Sequence, residues 1–254
     1  MLIAITRHVS PAIGKCELTH LERQPIDLAV ARAQHRQYEA ALKSLGVDVH
    51  PLPAEVDLPD SVFVEDIAIV VDEAAIITRP GADSRKPETE SIAKALAPYR
   101  KLFYIQAPGT LDGGDVLTVR KDIYVGQSSR SNQAAIEQMG AFLASFGYTV
   151  KGVKVSGCLH LKSAVTQVAA DTLLVNPAWV GKENFPGMKF IDVEPSEAYA
   201  ANAVLVGKTV LYPSSYPKTR LRLEEAGIRL VIVEASELAK AEGAVTCCSL
   251  IFKV

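Results

Sequence analysis

The sequence predicts an α/β fold of five like units set around one axis. Short apolar runs of strand length alternate along the chain with stretches of helical period. Tight polar turns join neighbouring runs into hairpins. Just ahead of the first strand of each unit stands one polar residue: Asp66, Asp112, His160, Asn202 and Cys247, at separations of 46, 48, 42 and 45 residues. A period near 45 residues that holds a hairpin, a helix and a further strand is a supersecondary repeat. Radial repetition of such a unit brings the five strand mouths together at the centre.

The elements follow in order. Residues 2–6 read as a strand. Residues 11–26, with Pro11, Gly14 and Pro25, show no period, and a loop of that length is commonly functional. Apolar residues at Leu28, Ala31, Tyr38, Ala41, Leu42 and Leu45 predict a helix over 27–45, closed by Gly46. A strand over 47–52 follows. Residues 67–71, the turn Asp72-Glu73 and residues 74–78 form a hairpin, then a helix over about 87–99 and a strand over 101–105. The pattern returns at 116–119 and 123–125 with a helix over 131–146, at 164–168 and 173–175, and at 203–206 and 209–212 with a helix over 219–226. The fifth unit begins at Cys247 with strand 250–254, and the N-terminal strand is expected to complete it.

Composition narrows the class. At 48% hydrophobic and 22% charged the chain is ordinary globular material, and 254 residues suit one large domain or two small ones. A net charge of -2 without like-charge runs gives no footing for nucleic acid or a membrane surface. No apolar run approaches the roughly 20 residues of a membrane span, and Met1–Arg7 lacks the pattern of a secretory leader. Cysteines at 16, 158, 247 and 248 form neither a disulfide framework nor a zinc spacing. A reducing, cytoplasmic setting is expected.

Five convergent mouths gather two acids, an imidazole, an amide and a thiol. Singly each has a plain explanation: a buried thiol that fills space, a satisfied core histidine, a turn aspartate beside Gly113-Gly114. Together they are chemically coherent. A thiol becomes a nucleophile as thiolate, and an imidazole moves protons for the leaving group and then for water. Two carboxylates would hinder a protease, because they raise a thiol's pKa and repel an oxyanion. They suit a cationic substrate, and a planar guanidinium matches carboxylates in bidentate geometry. The residues therefore point to cysteine attack on a guanidinium carbon.

The stretches Asp60-Ser-Val-Phe-Val-Glu-Asp66, Ile76-Ile-Thr-Arg-Pro-Gly-Ala82, Leu111-Asp-Gly-Gly-Asp115, Leu159-His-Leu-Lys162 and Thr246-Cys-Cys-Ser249 resemble those of the dimethylarginine dimethylaminohydrolase family, within the guanidino-group-modifying (pentein) superfamily. The resemblance runs through nearly the whole chain in the same order. It implies a single catalytic domain over 1–254, a five-bladed ββαβ α/β-propeller (pentein fold), and no metal or cofactor. It implies hydrolysis of N-methylated arginine to citrulline and a methylamine. Matched residue by residue, Cys247 is the nucleophile, with Cys248 its inert neighbour. His160 is the general acid and base, and Asp112 its companion carboxylate. Asp66 binds the guanidinium and Glu65 lines the same region. Arg85 and Arg130 hold the α-carboxylate. Asp60, with backbone carbonyls near Leu18 and Ala241, meets the α-amino group. The loop over 11–26 becomes a lid. The expected partner is a small guanidino amino acid, and the expected assembly a monomer or homodimer.

Three alternatives stay open at this point. An arginine or agmatine deiminase would share the fold, although such members are typically longer. A non-catalytic propeller resembling the translation anti-association factors needs no thiol facing an imidazole. A cysteine amidase or protease is opposed by the two carboxylates.

Overall fold

The computed structural model describes residues 1–254, and it is a five-bladed α/β-propeller. Strand β1 (Leu2–Arg7) leads through the irregular segment, broken only by a 3₁₀ turn at Ile13–Lys15, to helix α1 (Leu28–Ser44) and strand β2 (Val47–Leu52). Asp27 starts α1: its carboxylate accepts the N–H of Ala29 and Val30 at 2.9 and 3.0 Å, two of the donors a helix start leaves free. Gly46, at φ 81°, ends it in the left-handed region that glycine enters freely. Next come β3 (Ala68–Val70), β4 (Ala74–Ile77), α2 (Thr89–Leu96) and β5 (Lys101–Tyr104), then β6 (Val116–Val119), β7 (Asp122–Gln127), α3 (Gln133–Leu143) and β8 (Thr149–Lys154).

The short helix α4 (Leu161–Ala164) precedes β9 (Val165–Ala169), β10 (Thr172–Val175) and β11 (Lys189–Asp192). Here the crossover holds only a 3₁₀ turn, Lys182–Asn184, where the other units have a helix, because Pro177, Gly181, Pro186 and Gly187 break any helical run. Last come β12 (Val204–Val206), β13 (Thr209–Pro213), α5 (Pro217–Glu225), β14 (Arg229–Val233), α6 (Ser236–Ala239) and β15 (Leu250–Lys253).

Each sheet has three strands built alike. A middle strand pairs antiparallel with an inner neighbour and parallel with an outer one, as β4 does with β3 and β5. The N-terminal strand completes the fifth blade as expected: β1 runs antiparallel to β15, with Ile3 opposite Phe252, and parallel to β2. The inner strands β3, β6, β9, β12 and β15 therefore surround the axis. They line a cavity of about 270 Å³ that includes Ile69, Leu117, Thr166, Leu205 and Leu250. Apolar clusters fill the spaces between blades and helices, the largest of them 20 residues around α1 and the Cys247 segment. No helix is long and apolar enough to cross a membrane.

Candidate active site

Three of the five strand-leading residues, Asp66, His160 and Cys247, line one cavity, with Asp112 behind His160 and Asn202 bonded beside Cys247, and the blades are stitched together there. Asp66 Oδ1 accepts the N–H of Gly114 at 3.0 Å. Asp115 Oδ1 accepts the N–H of Leu161 at 2.9 Å. Asn202 donates to the Lys162 carbonyl at 3.1 Å and accepts the N–H of Thr246 at 3.0 Å. Gly113 and Gly114 make the close approach possible: a Cβ on Gly113 would lie 2.0 Å from the Glu65 carbonyl oxygen, and one on Gly114 would lie 2.5 Å from His160 Nδ1. Only glycine fits where backbones come this near.

Cys247 ends up in a 3₁₀ turn over Thr246–Cys248, 8% exposed, and all four cysteines are free thiols. His160 precedes α4 in extended backbone and is 6% exposed. Both line a cavity of about 20 Å³ together with Asp60, Asp66, Arg85 and Arg130. Ala241 lines it too. The imidazole bridges two acids, with Nε2 3.2 Å from Asp112 Oδ2 and Nδ1 3.8 Å from Asp66 Oδ1. Asp112 is itself held by the N–H of Gly81 at 2.8 Å, while its own N–H donates to Ser131 Oγ.

The wall residues divide by how committed they are. Arg85 is buried, with donors on both Glu88 oxygens, on Asp66 Oδ2 and on the carbonyls of Asp60 and Phe63. Arg130 is freer: its contacts are Thr19 Oγ1 at 3.0 Å and Asp112 at 3.5 Å. The Asp60 carboxylate accepts the N–H of Glu17 at 3.1 Å.

Three of the expected site residues stand away from the cavity wall. Asp112 does not line the cavity; it is fully buried against His160, where it orients the ring. Glu65 turns away from this cavity into the axial one and pairs with Lys162 at 2.5 Å, drawn by the opposite charge. The Leu18 side chain packs on the cluster around α1, and its neighbour Glu17 lines the cavity.

The charges set the resting state. Burial opposes a charged His160, but Asp66, the bond to Asp112 and the charge of Asp115 outweigh it and push the imidazole up to about 9. Burial, followed by the charges of Asp66 and Glu65, raises the Cys247 thiol well above the ordinary range. Burial works against ionised Asp66 too, but His160 and Arg85 overcome it and hold this carboxyl below its usual value. At neutral pH the site thus pairs an imidazolium with a neutral thiol. Asp66, Asp112 and His160 offer ligand atoms within 4.8 Å of one another and are the group that could hold a metal ion, though a protonated imidazole opposes ligation.

Three participants went unseen in the sequence. Asp115 carries Ser128 and Ser131 at 2.6 and 2.7 Å as well as Leu161, and the only trace was its place after Gly113-Gly114. Glu88 balances Arg85 and left no trace. Glu242 contacts the segment over 11–26, and the turn at Glu242-Gly243 was its only signal.

The family described as N,N dimethylarginine dimethylhydrolase, eukaryotic, matches residues 18–183. The chain is 39% identical to an N(G),N(G)-dimethylarginine dimethylaminohydrolase of Pseudomonas aeruginosa over 228 residues, covering 89% of this chain and 90% of that one. A protein of the same name from Streptomyces coelicolor is 39% identical over 249 residues, 97% of this chain and 95% of its own. Among solved structures, the Pseudomonas aeruginosa protein as a cysteine-to-serine variant complexed with citrulline superposes with a TM-score of 0.94 at 36% identity, covering 98% of both chains. A histidine-to-glycine variant of a dimethylarginine dimethylaminohydrolase, solved as an adduct with S-methyl-L-thiocitrulline, gives 0.93 at 36% identity, over 98% of this chain and 99% of that one.

Proposed function

The chain belongs to the dimethylarginine dimethylaminohydrolase family, and on that premise we propose that it hydrolyses Nω-methylated arginine to citrulline and methylamine or dimethylamine through a thiouronium on Cys247. The observation that carries the reading is the shared cavity of Cys247, His160 and Asp66, a thiol and an imidazolium beside an acid. A protease would need its thiolate ready at rest; here burial first, and then the acids, keep the thiol neutral until a cation arrives.

The substrate guanidinium lies against Asp66, whose carboxylate has about four acceptor sites, so those left by Arg85 and Gly114 stay open. Its positive charge offsets the acids, and the thiol proton leaves to solvent. The Cys247 sulfur attacks the central carbon, forming the S–C bond. His160 gives its proton to the methylated nitrogen, the C–N bond breaks, and the amine departs. The neutral imidazole then takes a proton from water as the oxygen attacks the thiouronium carbon. The C–S bond breaks, the electron pair returns to sulfur, the remaining hydroxyl proton leaves to restore the thiol, and citrulline is released. Asp112 fixes the ring and favours its charged form. Arg130, with Arg85 beside it, receives the α-carboxylate, and Asp60 with the Ala241 carbonyl receives the α-amino group. On the same reading residues 1–254 are one catalytic domain, working as a monomer or homodimer in the cytoplasm, a setting that four free thiols fit.

The test is citrulline release from asymmetric dimethylarginine, with arginine as comparison. Turnover of the methylated substrate lost in Cys247→Ser is the expected result. Citrulline from that variant, or turnover of arginine alone, would refute the reading.

A further inference from the structure

A cavity of about 20 Å³ holds roughly one water molecule. Of residues 17–21, Glu17 lines this cavity and Thr19 touches its wall residue Arg130, so on the proposed function the segment gives way when a guanidino amino acid enters. Four ties hold it. The Glu17 N–H donates to Asp60 at 3.1 Å, and Arg130 donates to Thr19 Oγ1 at 3.0 Å. Both use groups assigned above to the substrate, so a bound substrate competes for them. Ser84 donates to the Glu17 carboxylate at 2.6 Å. The largest tie is the Glu242 carboxylate, which accepts three successive backbone N–H groups: Thr19 at 3.0 Å, His20 at 2.5 Å and Leu21 at 2.6 Å.

Glu242 holds this position with φ at 56°, left-handed backbone that costs a residue with a Cβ and persists where surroundings enforce it. It follows Ala241 directly and stands five residues before Cys247. We propose that Glu242 is the positioning residue that latches the segment Glu17–Leu21 over the site, coupling its closure to the Ala241 carbonyl and the Cys247 turn. The latch deepens the proposed function and rests on it for the substrate, though not for the contact itself.

The test is amide hydrogen exchange in Glu242→Gly, beside substrate kinetics. Glycine accepts this φ without strain, so the fold is kept while the carboxylate is lost. Charge-assisted hydrogen bonds are the strong ones, so exchange at Thr19, His20 and Leu21 should speed up by about tenfold or more, with the rest of the chain unchanged. KM should rise by about tenfold with kcat within about threefold, because the latch acts alike on ground and transition states. Glu242→Gln, which keeps an acceptor oxygen without the charge, should fall between the two. Wild-type exchange at the three amides in Glu242→Gly, or protection lost throughout the chain, would overturn the latch. Faster exchange without turnover of any guanidino substrate would uphold the latch and remove the substrate reading.

Discussion

Arg85 Nη1 donates to Asp66 Oδ2 at 2.5 Å, and both side chains are 4% exposed. The carboxylate expected to meet the substrate cation is therefore already held by an internal one. Glu88 completes the buried group at 2.8 Å from Arg85, and burial lifts its carboxyl, against the pull of Arg85, to about 7. Removing the centre of such a group leaves buried charge uncompensated. Arg85→Ala should cost about 3–5 kcal/mol of stability, read by urea unfolding, besides weakening substrate binding. Unchanged stability would show that the network is not structural.

Arg130 makes fewer commitments, and its tie to Thr19 is one a substrate carboxylate can replace. Arg130→Ala should keep the wild-type unfolding midpoint and raise KM by about 10- to 100-fold, the worth of a lost charge-assisted bond. A fall in kcat at unchanged KM would contradict a holding role.

His160, pushed up to about 9 against an ordinary value near 6.5, should titrate near 9 in nuclear magnetic resonance spectra and lower in Asp112→Asn. The folded state binds this proton more tightly than the unfolded chain does. Its contribution to stability is complete below about pH 6.5 and is lost as pH rises through about 9. The stability advantage of wild type over His160→Gln should therefore shrink between pH 6 and 10, and kcat should decline above pH 9 as the proton donor is lost. A midpoint at 6.5 would contradict the two-acid bridge.

Gly114 lies against the reacting groups. An added Cβ would stand 2.5 Å from His160 Nδ1 and 2.7 Å from Asp66 Oδ1. Gly114→Ala should lower kcat by about 100-fold or more, since displacements near 1 Å are that costly in an oriented site. Activity near wild type would mean the ring has room to move.

How much of this was legible follows from where each signal lives. Asp66, Asp112, His160 and Cys247 could be read because each stands ahead of an inner strand, and strand, turn and helix punctuation repeats locally. The outer strands β8, β11 and β14 were missed, since they are short, half-exposed edges such as Lys189–Asp192 with no clean alternation. Glu65 and Asp66 are adjacent in sequence yet line different cavities, because both sit in a 3₁₀ turn over Val64–Ile67, where successive side chains fan about a third of a turn apart. The grip of Glu242 on Thr19 spans 223 residues, and no local pattern encodes a contact of that range.

The central claim is sulfur attack on the amidine carbon with His160 moving the protons. It is tested most directly by mass analysis of the Cys247 peptide from His160→Gly incubated with S-methyl-L-thiocitrulline, whose thiol leaving group needs less help from an acid than an amine does. The account predicts a stable thiouronium adduct on Cys247 that hydrolyses far more slowly than in the wild-type enzyme. An unmodified Cys247, or an adduct on another residue, would contradict it.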